Sequence, residues 1–143
     1  MKLRINNMSF LKHLLITIFA LVVYQSHAQL SDTTKINPQP KHVILNLDSS
    51  TYQRVIAPPA SLGIHSGLVT LKPGETVGHH NTDDYDEMII IFSGEGQMSF
   101  EDGQKFNLKF GEVAYCPPHT EHDMKNIETT LLKYLYIATK TKK

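Results

Sequence analysis

The chain has 143 residues, with 14 Lys and Arg against 14 Asp and Glu, and is formally neutral at pH 7. That balance, without a basic run in the body of the chain, excludes a surface built for nucleic acid or anionic membrane. A single cysteine, Cys116, excludes an intrachain disulfide, so stability has to come from a packed core.

The first 28 residues read as a targeting segment. Lys2, Arg4 and Lys12 precede an apolar run over residues 14–24, no acid is present, and Ser26 and Ala28 place small residues where a signal peptidase reads. Eleven apolar residues are too few to span ~30 Å of hydrocarbon at about 1.5 Å per residue. Cleavage before Gln29 and export to the periplasm or medium are therefore expected, with no membrane attachment afterwards. Removal takes away three basic groups and no acid, so 11 minus 14 leaves −3 over the remaining 115 residues, a size for one domain.

Residues 29–42 are polar, carry Pro38 and Pro40, and read as a flexible leader. Residues 41–47 alternate enough to predict a strand, and 52–56 predict another before Pro58 and Pro59 stop it. From there strands are expected over 64–71, 76–81, 87–92, 97–100, 106–110, 113–116 and 130–138. The intervening turns are Lys72-Pro73-Gly74, an acidic and solvated Asp83-Asp84-Tyr85-Asp86 loop, Ser93-Gly94, Asp102-Gly103 and Gly111. Asp102-Gly103 has the composition of a type I′ hairpin turn. Residues 131, 132, 135 and 136 would also fit a helical stripe, but the neighbouring strand-and-turn rhythm favours a strand. Residues 139–143 read as a polar tail. Many short strands with evenly spaced turns predict an all-β, antiparallel barrel over residues 43–138.

Two segments carry chemistry. His79 and His80 precede Glu87, which leads into the apolar run 88–92 and Gly94; later come Gly111, Pro117, His119, His122 and Asn126. The first segment resembles the first motif of the cupin superfamily, G-x5-H-x-H-x(3,4)-E-x6-G, through Gly74, His80, Glu87 and Gly94, with Thr82 where the second histidine is expected. The second resembles G-x5-P-x-G-x2-H-x3-N through Gly111, Pro117, His122 and Asn126, with His119 in place of the inner glycine. The resemblance, to a small single-domain cupin, covers about residues 43–138. It implies a double-stranded β-helix (jelly-roll) barrel holding a divalent metal.

The residues support a site on their own terms. On an extended strand His80 and Thr82 share a face and His79 points away, while Glu87 opens the next strand. With His122 brought in by closure of the sheet, His80, Glu87 and His122 form a two-histidine, one-carboxylate set of the kind associated with non-haem iron. Mn, Ni and Zn suit the same donors. His79 and His119 are candidates for a fourth position, His79 by way of a bulge, and Thr82 is a weak one. His42 and His65 read as ordinary surface or hydrogen-bonded histidines. Cys116 reads as a small core residue, and Tyr85 and Tyr115 as core filling, with a pocket acid as the alternative for either.

Two functions stay open. One is a metal-dependent enzyme on a small molecule, for which the resemblance implies oxygenation, decarboxylation or sugar isomerisation. The other is a non-enzymatic barrel that binds a small ligand such as a carbohydrate. Thr82 favours the second and the register of the triad favours the first. By analogy with the family, a homodimer through strand exchange is also expected.

Overall fold

Alternation of side chains at a period of two turns about half of the described residues into strands, most of them with one face buried. The computed structural model describes residues 37–141. The expected signal segment and residues 29–36 of the expected leader lie outside the described residues, as do 142 and 143. The described residues hold β1 (Gln53–Ile56), β2 (Ile64–Leu71), β3 (His80–Asn81), β4 (Tyr85–Ser93), β5 (Glu95–Phe100), β6 (Lys105–Lys109), β7 (Val113–Cys116), β8 (Glu121–Asn126) and β9 (Leu132–Lys140), and no helix. A five-stranded sheet runs β1-β2-β9-β4-β7 and a four-stranded sheet runs β3-β8-β5-β6, all pairs antiparallel.

The inner faces of the two sheets share one core. Ile89 and Ile91 of β4, Leu132 and Tyr134 of β9, and Ala114 and Cys116 of β7 meet Met98, Leu108 and Met124 from the smaller sheet. Removing this apolar surface from water is worth roughly 25 cal/mol per Å² and is the main force holding the sheets together. The strand expected at 130–138 is β9, and it runs two residues into the expected polar tail, to Lys140.

Close approach of the sheets requires glycine at one buried position. A Cβ added at Gly96 in β5 would lie 2.7 Å from both Leu132 Cδ2 and Met124 Sδ. Gly96→Ala is therefore expected to overpack the core and cost about 1–3 kcal/mol in urea unfolding; an unchanged midpoint would show that the core repacks freely. At Gly94 the need is conformational: φ is 75°, and a Cβ would meet the Leu131 carbonyl oxygen at 2.8 Å.

Four expectations are corrected. No strand forms over 41–47, because side chains rather than a neighbouring strand take its backbone groups. Gln53 Nε2 donates to the Ile44 carbonyl at 3.0 Å and Gln53 Oε1 accepts from Asn46 N at 2.8 Å. The buried Lys133 ammonium then donates to the carbonyls of Leu47 and Ser49. Second, β8 is a strand where the sequence reading saw none: EHDMKN is polar, yet it buries His122, Met124 and Asn126 in alternation. Third, the β5–β6 hairpin exists but is not type I′. Its loop has four residues and only Gly103, not Asp102, has positive φ. Fourth, Tyr115 is exposed on the outer face, where its hydroxyl donates to Asp86.

Candidate metal centre

Antiparallel pairing, rather than proximity in the chain, assembles the site. β3 and β8 place His80 directly across from His122, and β4 and β7 place Glu87 across from Cys116 on the neighbouring sheet. The two imidazole rings are 4.3 Å apart between centroids. One donor atom from each of His80, Glu87 and His122 lies within 4.8 Å of the others. Donors about 2.1 Å from a shared ion sit roughly 3.0–3.4 Å apart in octahedral or tetrahedral arrangements, so small side-chain adjustments bring this set onto one cation.

Backbone carbonyls aim both rings. His80 Nδ1 lies 2.9 Å from Gly78 O, and His122 Nδ1 lies 3.4 Å from Thr120 O. Nδ1–H donated to a carbonyl leaves the Nε2 lone pair facing the site, the orientation a metal-ligating histidine takes. His122 Nε2 is also the one fully buried side-chain nitrogen or oxygen among the described residues without a hydrogen-bond partner. It lies 3.3 Å from Glu87 Oε2 but misaligned for a hydrogen bond. An unpartnered lone pair beside a carboxylate is unfavourable until a proton or a cation enters between them.

The electrostatics of His122 reflect that conflict. Burial, the largest single effect, works to lower its pKa, but the Glu87 carboxylate, the Thr120 carbonyl and Asp123 together outweigh it, and the net shift is upward. Cys116 is not poised as a nucleophile: burial, with the Glu87 charge added, pushes its thiol up to about 12. It is a core residue, as its sequence context indicates.

A cavity of about 460 Å³ opens beside the triad, and His80, Thr82, Glu87 and His122 all line it. Thr82 is not an impaired ligand. Its buried hydroxyl donates to Pro117 O at 2.8 Å and accepts from Thr120 N at 2.9 Å, which ties the β3–β4 turn to the segment before β8. His79 is exposed and outside the cavity lining, in the coil before β3, without the bulge that would turn it inward. His119 is likewise exposed, 3.6 Å from Asp84, and lies away from the triad. Neither joins the donor set.

The sequence reading passed over several lining residues. His65 faces the cavity from β2, and Tyr134 and Tyr136 do so from β9. The period-two pattern of β2 and β9 put them on one face of their strands, but gave no reason to connect that face with the triad.

Comparison with known proteins agrees with this fold. Residues 67–138 match the family described as cupin domain. An uncharacterized protein of Methanocaldococcus jannaschii is 30% identical over 90 residues, covering 62% of this chain and 71% of its own. A second from the same organism is 29% identical over 69 residues, and there the chain spans only 59% of the relative. Among solved structures, an RmlC-like cupin family protein with a double-stranded β-helix fold from M. jannaschii superposes with a TM-score of 0.62 at 20% identity, over 73% of this chain and 94% of its own. A cupin protein from Bacteroides fragilis gives 0.61 at 21% identity, over 73% and 86%. The cupin domain of Schizosaccharomyces pombe Cnp3 gives 0.57 at 14%, over 63% of this chain and 60% of that one.

Proposed function

The chain belongs to the cupin domain family, and on that premise we propose that it is a metal-dependent enzyme of small-molecule chemistry, with one divalent cation held by His80, Glu87 and His122. The observation that carries this reading is the buried, unpartnered His122 Nε2 beside the Glu87 carboxylate, with His80 across the strand pair. A divalent ion there would supply Lewis-acid polarisation of a ligand oxygen, or dioxygen activation if it is iron. The two histidines would bind through Nε2, Glu87 would offset the charge, and the apolar walls would keep water from the reacting group. Fe, Mn, Ni and Zn all suit these donors. Walls such as Val69, Ile89 and Met124 support oxygenation or decarboxylation above sugar isomerisation. The competing reading, a binding barrel without turnover, draws on Thr82, whose hydroxyl is fully engaged and leaves three protein donors where four would close the set.

Calorimetric titration of metal-free protein with Fe(II), Mn(II), Ni(II) and Zn(II) tests the proposal. One equivalent should bind, and affinity should rise with pH while the metal displaces the His122 proton. Below the raised pKa of His122 the expected slope is about one decade per pH unit, flattening above it. The metal-free fold should show the opposite trend. A folded-state pKa raised above its unfolded value stabilises fully below the unfolded value, and that contribution is lost as pH rises through the folded one. No binding by any of the four ions at pH 8 would leave only the binding-barrel reading.

A further inference from the structure

The cavity's polar groups divide into those already bonded within the protein and those left over, and the remainder describes the ligand. Thr82 Oγ1 is used twice. Asn81 donates to Glu121 and accepts from Asp83 N. The hydroxyls of Tyr52 and Tyr136 are joined at 3.1 Å. At the rim, His65 and Tyr85 pack edge to face at 5.6 Å, and both are only partly buried, within reach of water. Tyr134 differs from all of these. It lines the cavity, is only 3% exposed, and its hydroxyl, which forms no hydrogen bond to the described residues, is not fully enclosed and so is free for a ligand. A phenylalanine would fill the same core space without a hydroxyl to satisfy.

Its position is the floor. β9 pairs Ala138 with Glu87 but Tyr134 with Ile91, so Tyr134 lies four residues deeper in the barrel than the metal-facing carboxylate. We propose that the Tyr134 hydroxyl is the ligand-holding donor at the floor of this cavity, and that the ligand is a small, uncharged, largely apolar molecule whose oxygen accepts that hydrogen bond. No Lys or Arg lines the cavity, and its charged lining residues besides histidine are Glu87 and Asp83, so an anion is repelled unless a metal alone holds it. A sugar's hydroxyls would meet a wall that is largely apolar on several sides. The remaining surface, from Val69, Val77, Ile89, Met124 and Ala138, suits a hydrocarbon ring or short chain.

This inference rests on the metal reading only for the ligand's other end, and the experiment separates the two. Fluorine NMR would follow para-fluorophenol, para-fluorobenzoate and fluorodeoxyglucose against the protein, metal-free and zinc-loaded. Para-fluorophenol should bind in preference to the other two. Tyr134→Phe should weaken it about fivefold, the effect of one neutral hydrogen bond, while zinc content and thermal midpoint stay unchanged. Equal affinity in Tyr134→Phe, no binding of para-fluorophenol, or tighter binding of the benzoate or the sugar to the metal-free protein overturns the proposal. If wild-type protein takes up none of Fe(II), Mn(II), Ni(II) and Zn(II) yet Tyr134→Phe still weakens the phenol, the metal reading fails and the floor assignment stands. If zinc binds and Tyr134→Phe has no effect, the assignment alone fails.

Discussion

Replacing His122 with alanine is expected to lower metal affinity by at least about 100-fold, the upper end of what losing a mere supporting partner costs. The side chain is nearly fully buried and supplies the donor closest to Glu87, at 3.3 Å. With it gone, His80 and Glu87 remain as a two-donor set on the open side of the cavity. The stability effect follows from mass action. A ligand at a hundred times its Kd stabilises the folded state by about 2.7 kcal/mol. For a domain near a hundred residues that corresponds to roughly 10 °C in Tm. Added metal should therefore raise the wild-type midpoint by about that amount and leave His122→Ala where it was. Comparing each protein with its own chelated form removes the cost of the cavity the substitution creates. His42→Ala, at an exposed histidine outside the lining, is the control and should keep both metal and midpoint. Metal content unchanged in His122→Ala would end the three-ligand assignment.

Asn126→Ala should cost about 3–5 kcal/mol, several of the 5–15 kcal/mol a domain typically has. Asn126 closes the second motif but takes no part in the metal centre. It is fully buried, and its Nδ2 donates to Leu71 O at 3.0 Å and Thr130 O at 2.7 Å. Its Oδ1 accepts from Glu128 N at 2.9 Å. Alanine strands two carbonyls and one N–H at the junction of β2, β8 and the loop leading to β9. Asn126→Asp keeps the shape but loses both donors and turns oxygen toward two carbonyl oxygens, so it should be at least as damaging. Urea unfolding decides both. If Asn126→Asp matches the wild type, the amide donors carry no weight and this account of the junction is wrong.

Much of the architecture was legible in local pattern because a strand's period of two is a property of consecutive residues. β2 and β7 begin and end where alternation and turn residues place them, at Ile64–Leu71 and Val113–Cys116. The grouping of His80, Glu87 and His122 was legible because the resemblance to the cupin motifs put them in one register, and pairing brings them together. β8 was hidden because two of its three buried side chains, His122 and Asn126, are polar, so the alternation exists in burial and not in hydropathy.

The rest depended on which strand lies beside which. Thr82 reads in sequence as a histidine's place left empty, but the fold makes it a clamp on the segment between Pro117 and Thr120. The apolar residues of 43–47 suggest a strand, yet Gln53 and Lys133 capture that backbone from elsewhere in the chain. His65, Tyr134 and Tyr136 acquire a role only when β9 is inserted between β2 and β4 and turns its inner face toward the triad. The sequence by itself determined most of the strands and which histidines and carboxylate to bring together. Only closure of the two sheets decided the cavity, because hydrogen-bonded pairing between distant segments sets which inward faces meet, and no local period encodes it.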